Sequence, residues 1–155
     1  MASLLYVASA KKPGTNLAAI HCELTLPGRG VSVLNRIVSV RSGRELTKCK
    51  LSTILQMLEN GTVDENGMIH RVPANTEIRL CTSDQYLVSC IQTYFEAQML
   101  PEESRAQRYR NGRECKRLWN ALQARNNTMS FDTHALLSKT MQSEAFEYLK
   151  SQTGG

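Results

Sequence analysis

Residues 18–26 read AAIHCELTL, and the alternation in them decides the fold class. Ala18, Ile20, Cys22, Leu24 and Leu26 fall on one side, and Ala19, His21, Glu23 and Thr25 on the other. A period of two is that of a strand with one buried and one wet face. On this reading Cys22 is buried and His21 faces solvent. Upstream, residues 4–9 form a short strand, and Lys11-Lys12-Pro13-Gly14-Thr15-Asn16 turns the chain back. Downstream, Pro27-Gly28-Arg29-Gly30 is a second turn. Residues 31–40, rich in Val, Leu and Ile, make a third strand, and the alternation shifts at Asn35 and Arg36, which predicts a bulge there.

After Ser42-Gly43 the period changes. Leu51, Ile54, Leu55 and Leu58 recur at helical spacing over residues 47–60, and Asn60-Gly61 supplies a left-handed stop. Residues 64–67 are a turn without the ligand spacing of a calcium loop, flanked by strands at 68–72 and 76–82. Thr82 and Gln85 are spaced as a capping box. Leu87, Val88, Ile91, Tyr94, Phe95 and Met99 then repeat as a helix, with a strand over 87–95 as the alternative reading. Residues 126–130 read as a loop, and Asp132 as the cap of a last helix whose apolar side is Leu137, Met141, Ala145, Tyr148 and Leu149. The expected fold is α+β in one domain over 1–155: an N-terminal antiparallel sheet across 3–82 with the helix 47–60 packed on it, followed by a helical C-terminal part over about 83–150.

Between these halves lies PEESRAQRYRNGRECKRLWNALQAR, residues 101–125. Seven cations stand there against three carboxylates, so the segment carries +4 of a net charge of +5. Pro101 followed by Glu102 and Glu103 reads as a helix start, and Asn111-Gly112 as a kink or break. From Arg113 onward Cys115, Leu118, Trp119 and Leu122 line one side of a helical wheel, and most cations fall on the other. A second basic block, residues 29–50, holds six cations and one carboxylate, and the intervening 51–100 is acidic.

Composition limits the classes of function. At 41% hydrophobic and 21% charged residues the chain is an ordinary globule, and no apolar run reaches the ~20 residues of a membrane span. The lysines of the opening segment follow its apolar stretch, the wrong order for a secretory signal. The five cysteines are odd in number and unpaired in spacing, which fits reduced thiols and a cytoplasmic, intracellular setting, a virion included. The sequons at Asn60 and Asn126 then read as chance matches. No CxxC, HxxxH, HExxH or phosphate-loop pattern is present, so neither metal, cofactor nor catalytic residue is expected. An enzyme would need a site assembled in three dimensions, for instance a thiol beside His70 or His134.

What remains is charge. Arg105, Arg108, Arg110, Arg113, Lys116 and Arg117, helped by Arg36, Arg41, Arg44, Lys48 and Lys50, are the expected contacts for a polyanion. Tyr109 and Trp119 lie among them, Trp119 reading as a core residue. The expected protein is non-enzymatic, basic and self-associating, a homo-oligomer. It binds RNA or nucleoprotein, or an anionic membrane surface peripherally. In general character it is similar to small viral matrix and nucleocapsid-associated proteins. The alternatives are an intracellular protein–protein adaptor and a small enzyme.

Overall fold

The computed structural model describes residues 2–106, 108–133 and 135–154, with 135–139 described by backbone alone. In chain order the elements are strands β1 (Ser3–Lys11), β2 (Leu17–Leu26) and β3 (Gly30–Ser39), helix α1 (Gly43–Asn60), and short strands β4 (Thr62–Val63) and β5 (Ile69–His70). Strand β6 (Glu77–Cys81), helix α2 (Gln85–Gln98), a 3-10 turn (Glu102–Ser104), helix α3 (Gly112–Ala124), strand β7 (Thr128–Asp132) and helix α4 (Ala135–Thr153) follow.

The α+β class holds, but the sheet is mixed. Its order is β3-β2-β1-β6-β7. The first three strands pair antiparallel, whereas β1–β6 and β6–β7 are parallel. Parallel neighbours need a crossover, and the helices between β3 and β7 supply them. β4 and β5 form a separate two-stranded sheet.

The alternation in β2 places Cys22, Leu24 and Leu26 with Leu5, Val7, Ile78 and Leu80 on one face of the sheet. Leu51, Ile54, Leu55 and Met57 of α1, Leu87 and Ile91 of α2, and Cys115, Leu118 and Leu122 of α3 close over that face. The opposite face is not wet at β2. Helix α4 packs on β1 and β2, where Ala8, Ala10 and Ala19 leave room for a close approach, and Ala145 and Leu149 of α4 are buried. His21 is therefore 3% exposed. Its Nδ1 is 2.6 Å from Asn35 Oδ1 and its Nε2 3.1 Å from Glu23 Oε1. The β2–β3 register runs one to one from Leu17↔Ser39 to Leu26↔Gly30, with no bulge. The polar break at Asn35 is the partner of His21, not a dislocation of the strand.

Helix α1 starts four residues earlier than its apolar repeat. Ser42 Oγ accepts the Glu45 N–H at 3.2 Å, and Glu45 Oε2 accepts the Arg41 N–H at 2.6 Å. At the other end Gly61 has φ 68° and donates its N–H to Met57 O at 2.9 Å. A Cβ at Gly61 would clash with the backbone carbonyl oxygen of His70. Gly61→Ala is expected to cost about 2–3 kcal/mol, as left-handed strain plus a clash, and a urea melt checks it. A loss under about 0.5 kcal/mol would show that the backbone relaxes freely.

Three local expectations are corrected. Asp84, not Thr82, caps α2: its Oδ1 accepts the Leu87 N–H at 3.0 Å, while Thr82 Oγ1 accepts the Asp84 N–H at 3.2 Å. Pro101 opens only the 3-10 turn, and α3 begins after Asn111, which takes the left-handed φ of 52°. Residues 128–132 are a strand, with Met129 and Phe131 packed on the core. Leu137's side chain and His134 lie outside the described residues.

Candidate functional site

Helices α2 and α3 pack together under the core and leave the connection between them on the surface. A cleft of about 830 Å³ opens there. Arg44 reaches it from the first turn of α1, Arg105 and Arg108 from the connection, and Arg113 and Lys116 from α3. Tyr94 and Tyr109, edge to face at 5.4 Å between ring centres, form its aromatic wall. One carboxylate, Glu102, lines it as well. Among the described residues none of these five cations lies within an ion pair. Asn111 makes no side-chain cap to α3, and Glu114 in the first turn of that helix offsets the positive end of its dipole.

The connection is held in shape by two of its own groups. Arg105 Nε donates to Leu100 O at 3.1 Å and its guanidinium also to Gln98 O at 3.2 Å, tying off the end of α2. Tyr109 Oη accepts the Ala106 N–H at 2.8 Å. Arg105 is thus a positioning group as much as a free cation. Arg110 lies over the Tyr86 ring at 5.7 Å, a cation–π contact.

The remaining expected contacts are elsewhere. Arg41 and Arg117 are exposed but do not line the cleft. Lys48 sits 3.9 Å from Glu114. Arg36 donates to Thr53 Oγ1 at 3.0 Å, beneath α1. Lys50 is 5% exposed and donates to Asp84 Oδ2 at 2.6 Å. Burial works to raise the Asp84 carboxyl, but the Lys50 ammonium and the N–H groups of Leu87 and Tyr86 outweigh it and hold it below the usual carboxylate range. Trp119 packs edge to face on Phe95 at 5.1 Å, as a core residue would.

Open sheets with parallel strands offer a second place, the crevice outside the carboxyl ends of the strands where the connections diverge. Here it lies between β1 and β6. A centre of paired divalent ions needs several ligands converging on it. The Asp84 carboxylate beside this crevice is held by Lys50, and among the described residues no three of His, Cys, Asp and Glu come together as an ion site. Among the described residues the donors do not fit a metal centre. Burial pushes the thiols of Cys22 and Cys115 up to about 12 and that of Cys81 up to about 11, so they stay protonated at neutral pH.

The architecture itself has solved counterparts. A ribonuclease H1 isolated from compost by a metagenomic approach superposes with a TM-score of 0.59 over 97% of this chain and 97% of its own, at 9% identity. Ribonuclease H1 of the halophilic archaeon Halobacterium salinarum NRC-1 gives 0.58 over 96% and 99%, at 12% identity. The fold is that of ribonuclease H. The compost enzyme in complex with an RNA/DNA hybrid also matches, with a TM-score of 0.53 over 94% and 97% at 11% identity. No family model matches this sequence, and no curated protein does.

The ribonuclease H fold overturns the expectation of a non-enzymatic, matrix-like, self-assembling structural protein. The architecture is one that nucleic-acid-processing enzymes use. Charge and composition pointed away from enzymes because they register only surface and solubility, whereas the order and direction of the strands carry the likeness of fold.

Proposed function

We propose that this chain engages nucleic acid, an RNA/DNA hybrid foremost, through the basic cleft of a ribonuclease H fold. The observation that carries it is the convergence of Arg44, Arg105, Arg108, Arg113 and Lys116 on one cleft without ion pairs among the described residues. Cations left unpaired in this way supply a field that a phosphate backbone neutralises with release of counterions. The hybrid-bound compost enzyme supports the choice of polyanion, because its chain matches this one nearly end to end. An intracellular setting, where thiols stay reduced, belongs to the same proposal.

The test is fluorescence anisotropy with a labelled hybrid across a salt series. With Arg105 engaged by carbonyls, the four remaining cations make about four phosphate contacts, so log K should fall against log salt with a slope of about −3 to −4. Duplex DNA and anionic vesicles serve as competitors. A slope near zero, or vesicles competing better than either duplex, would reject the proposal.

A further inference from the structure

A second cleft, of about 470 Å³, lies at the crevice between β1 and α4. The β1–β6 ladder stops at Tyr6 and Cys81, yet β1 continues to Lys11. Ser9 and Ala10 therefore stand beyond the end of β6, at the place where a sheet of this kind takes its ligands. They form one side of the cleft, and Gln142, Ser143, Phe146 and Glu147 of α4 form the other. On α4 Gln142 sits one turn from Phe146, and Ser143 one turn from Glu147, so the four make two adjoining rows. Ala145 and Leu149 anchor the helix on the sheet, whereas Phe146 keeps 51% of its surface exposed.

The chemistry of this cleft is the reverse of the basic one. Among the described residues no cation lines it, and the one charge on its walls is the Glu147 carboxylate. Among the described residues this lining offers a phosphate no cation, whereas it can hold a neutral ring with hydrogen-bonding edges. We propose that this cleft receives an unpaired nucleoside of a bound strand, its base against the Phe146 ring and its sugar hydroxyls or base edge toward Gln142 and Ser143. An aromatic face accepts any base, while hydroxyl and amide groups can engage a ribose 2′-hydroxyl. The inference rests on the nucleic-acid reading and extends it: one cleft takes phosphates and the other takes a nucleoside.

The test uses single-stranded RNA and DNA 12-mers with an internal 2-aminopurine, matched abasic oligomers, and inorganic polyphosphate. Phe146→Ala should weaken the base-containing oligomers about 5- to 100-fold and abolish quenching of 2-aminopurine. Phe146→Tyr should preserve both. The parent should bind abasic oligomers more weakly, with no further loss in Phe146→Ala, and polyphosphate should bind all three proteins alike. Gln142→Ala is the second variant, expected to narrow any preference for RNA over DNA without changing quenching. Equal affinity of Phe146→Ala and parent for base-containing strands, or no discrimination against abasic ones, overturns the nucleoside cleft. If polyphosphate and hybrid still bind in that case, the basic-cleft reading stands; if the parent binds no nucleic acid at low salt, both fall.

Discussion

Asp84→Ala is expected to destabilise the fold by about 3–5 kcal/mol, because it strands a buried ammonium. Asp84 does two jobs at once. One carboxylate oxygen caps α2 through the Leu87 N–H, and the other accepts from Lys50 at 2.6 Å. Loss of the cap alone costs about 1 kcal/mol. The larger part comes from Lys50, 5% exposed and left without its carboxylate. At 2–4 °C per kcal/mol for a chain of this size, the melting temperature should drop by about 6–20 °C. Replacing both partners, Lys50→Met with Asp84→Ala, should recover most of the loss, since a buried pair exchanged for apolar groups is often neutral. A double variant no more stable than Asp84→Ala alone would mean that the cap, not the ion pair, carries the energy.

The same pair sets an acid limit. The folded-state Asp84 carboxyl is held below its unfolded value, so its contribution is complete above the unfolded pKa of about 3.9. It is lost as pH falls through the lower folded value. The parent should therefore lose stability between pH 4 and lower values more steeply than the double variant does.

Much of the fold was legible because its signals are local. The alternation in β2 and the Leu51, Ile54 and Leu55 repeat in α1 follow from which face each element buries, and both appear in the core. The left-handed stop at Gly61 also appears where the sequence puts it. Some misses had a local signal too. Ser42 and Glu45 are spaced as a capping pair just ahead of the expected start of α1 at residue 47, and residues 128–132 alternate with Met129 and Phe131 inward. What no local signal carries is the pairing of β1 with β6 and of β6 with β7, strands separated by helices. Strand direction decides where the crevice lies, so Ser9, Gln142, Ser143 and Phe146 could not be gathered into a site beforehand. The burial of Lys50 was equally hidden. On the α1 wheel it reads as a surface cation, and only the return of the chain at Asp84 makes it an internal one.

Arg108→Ala with Arg113→Ala and Lys116→Ala is expected to weaken hybrid binding about 100- to 1,000-fold at low salt, with each charge-assisted bond to phosphate worth about 1–1.5 kcal/mol. These three are exposed, line the cleft, and have no ion-pair partner among the described residues. Their removal should leave the melting temperature nearly unchanged, as surface substitutions away from special features cost within about 0.5 kcal/mol. The salt slope should flatten by about 2 to 3, close to one for each phosphate no longer neutralised. Arg117→Ala is the internal control. It removes a cation from the same helix and changes net charge, but its side chain does not line the cleft, so it should cost under about threefold through the weak, screened long-range field. Arg105→Ala separates a third effect: its guanidinium holds the carbonyls of Gln98 and Leu100, so its removal should loosen the connection and raise proteolysis there along with Kd. If Arg117→Ala weakens binding as much per charge as the triple variant does, affinity follows net charge alone, and the cleft has no privileged role.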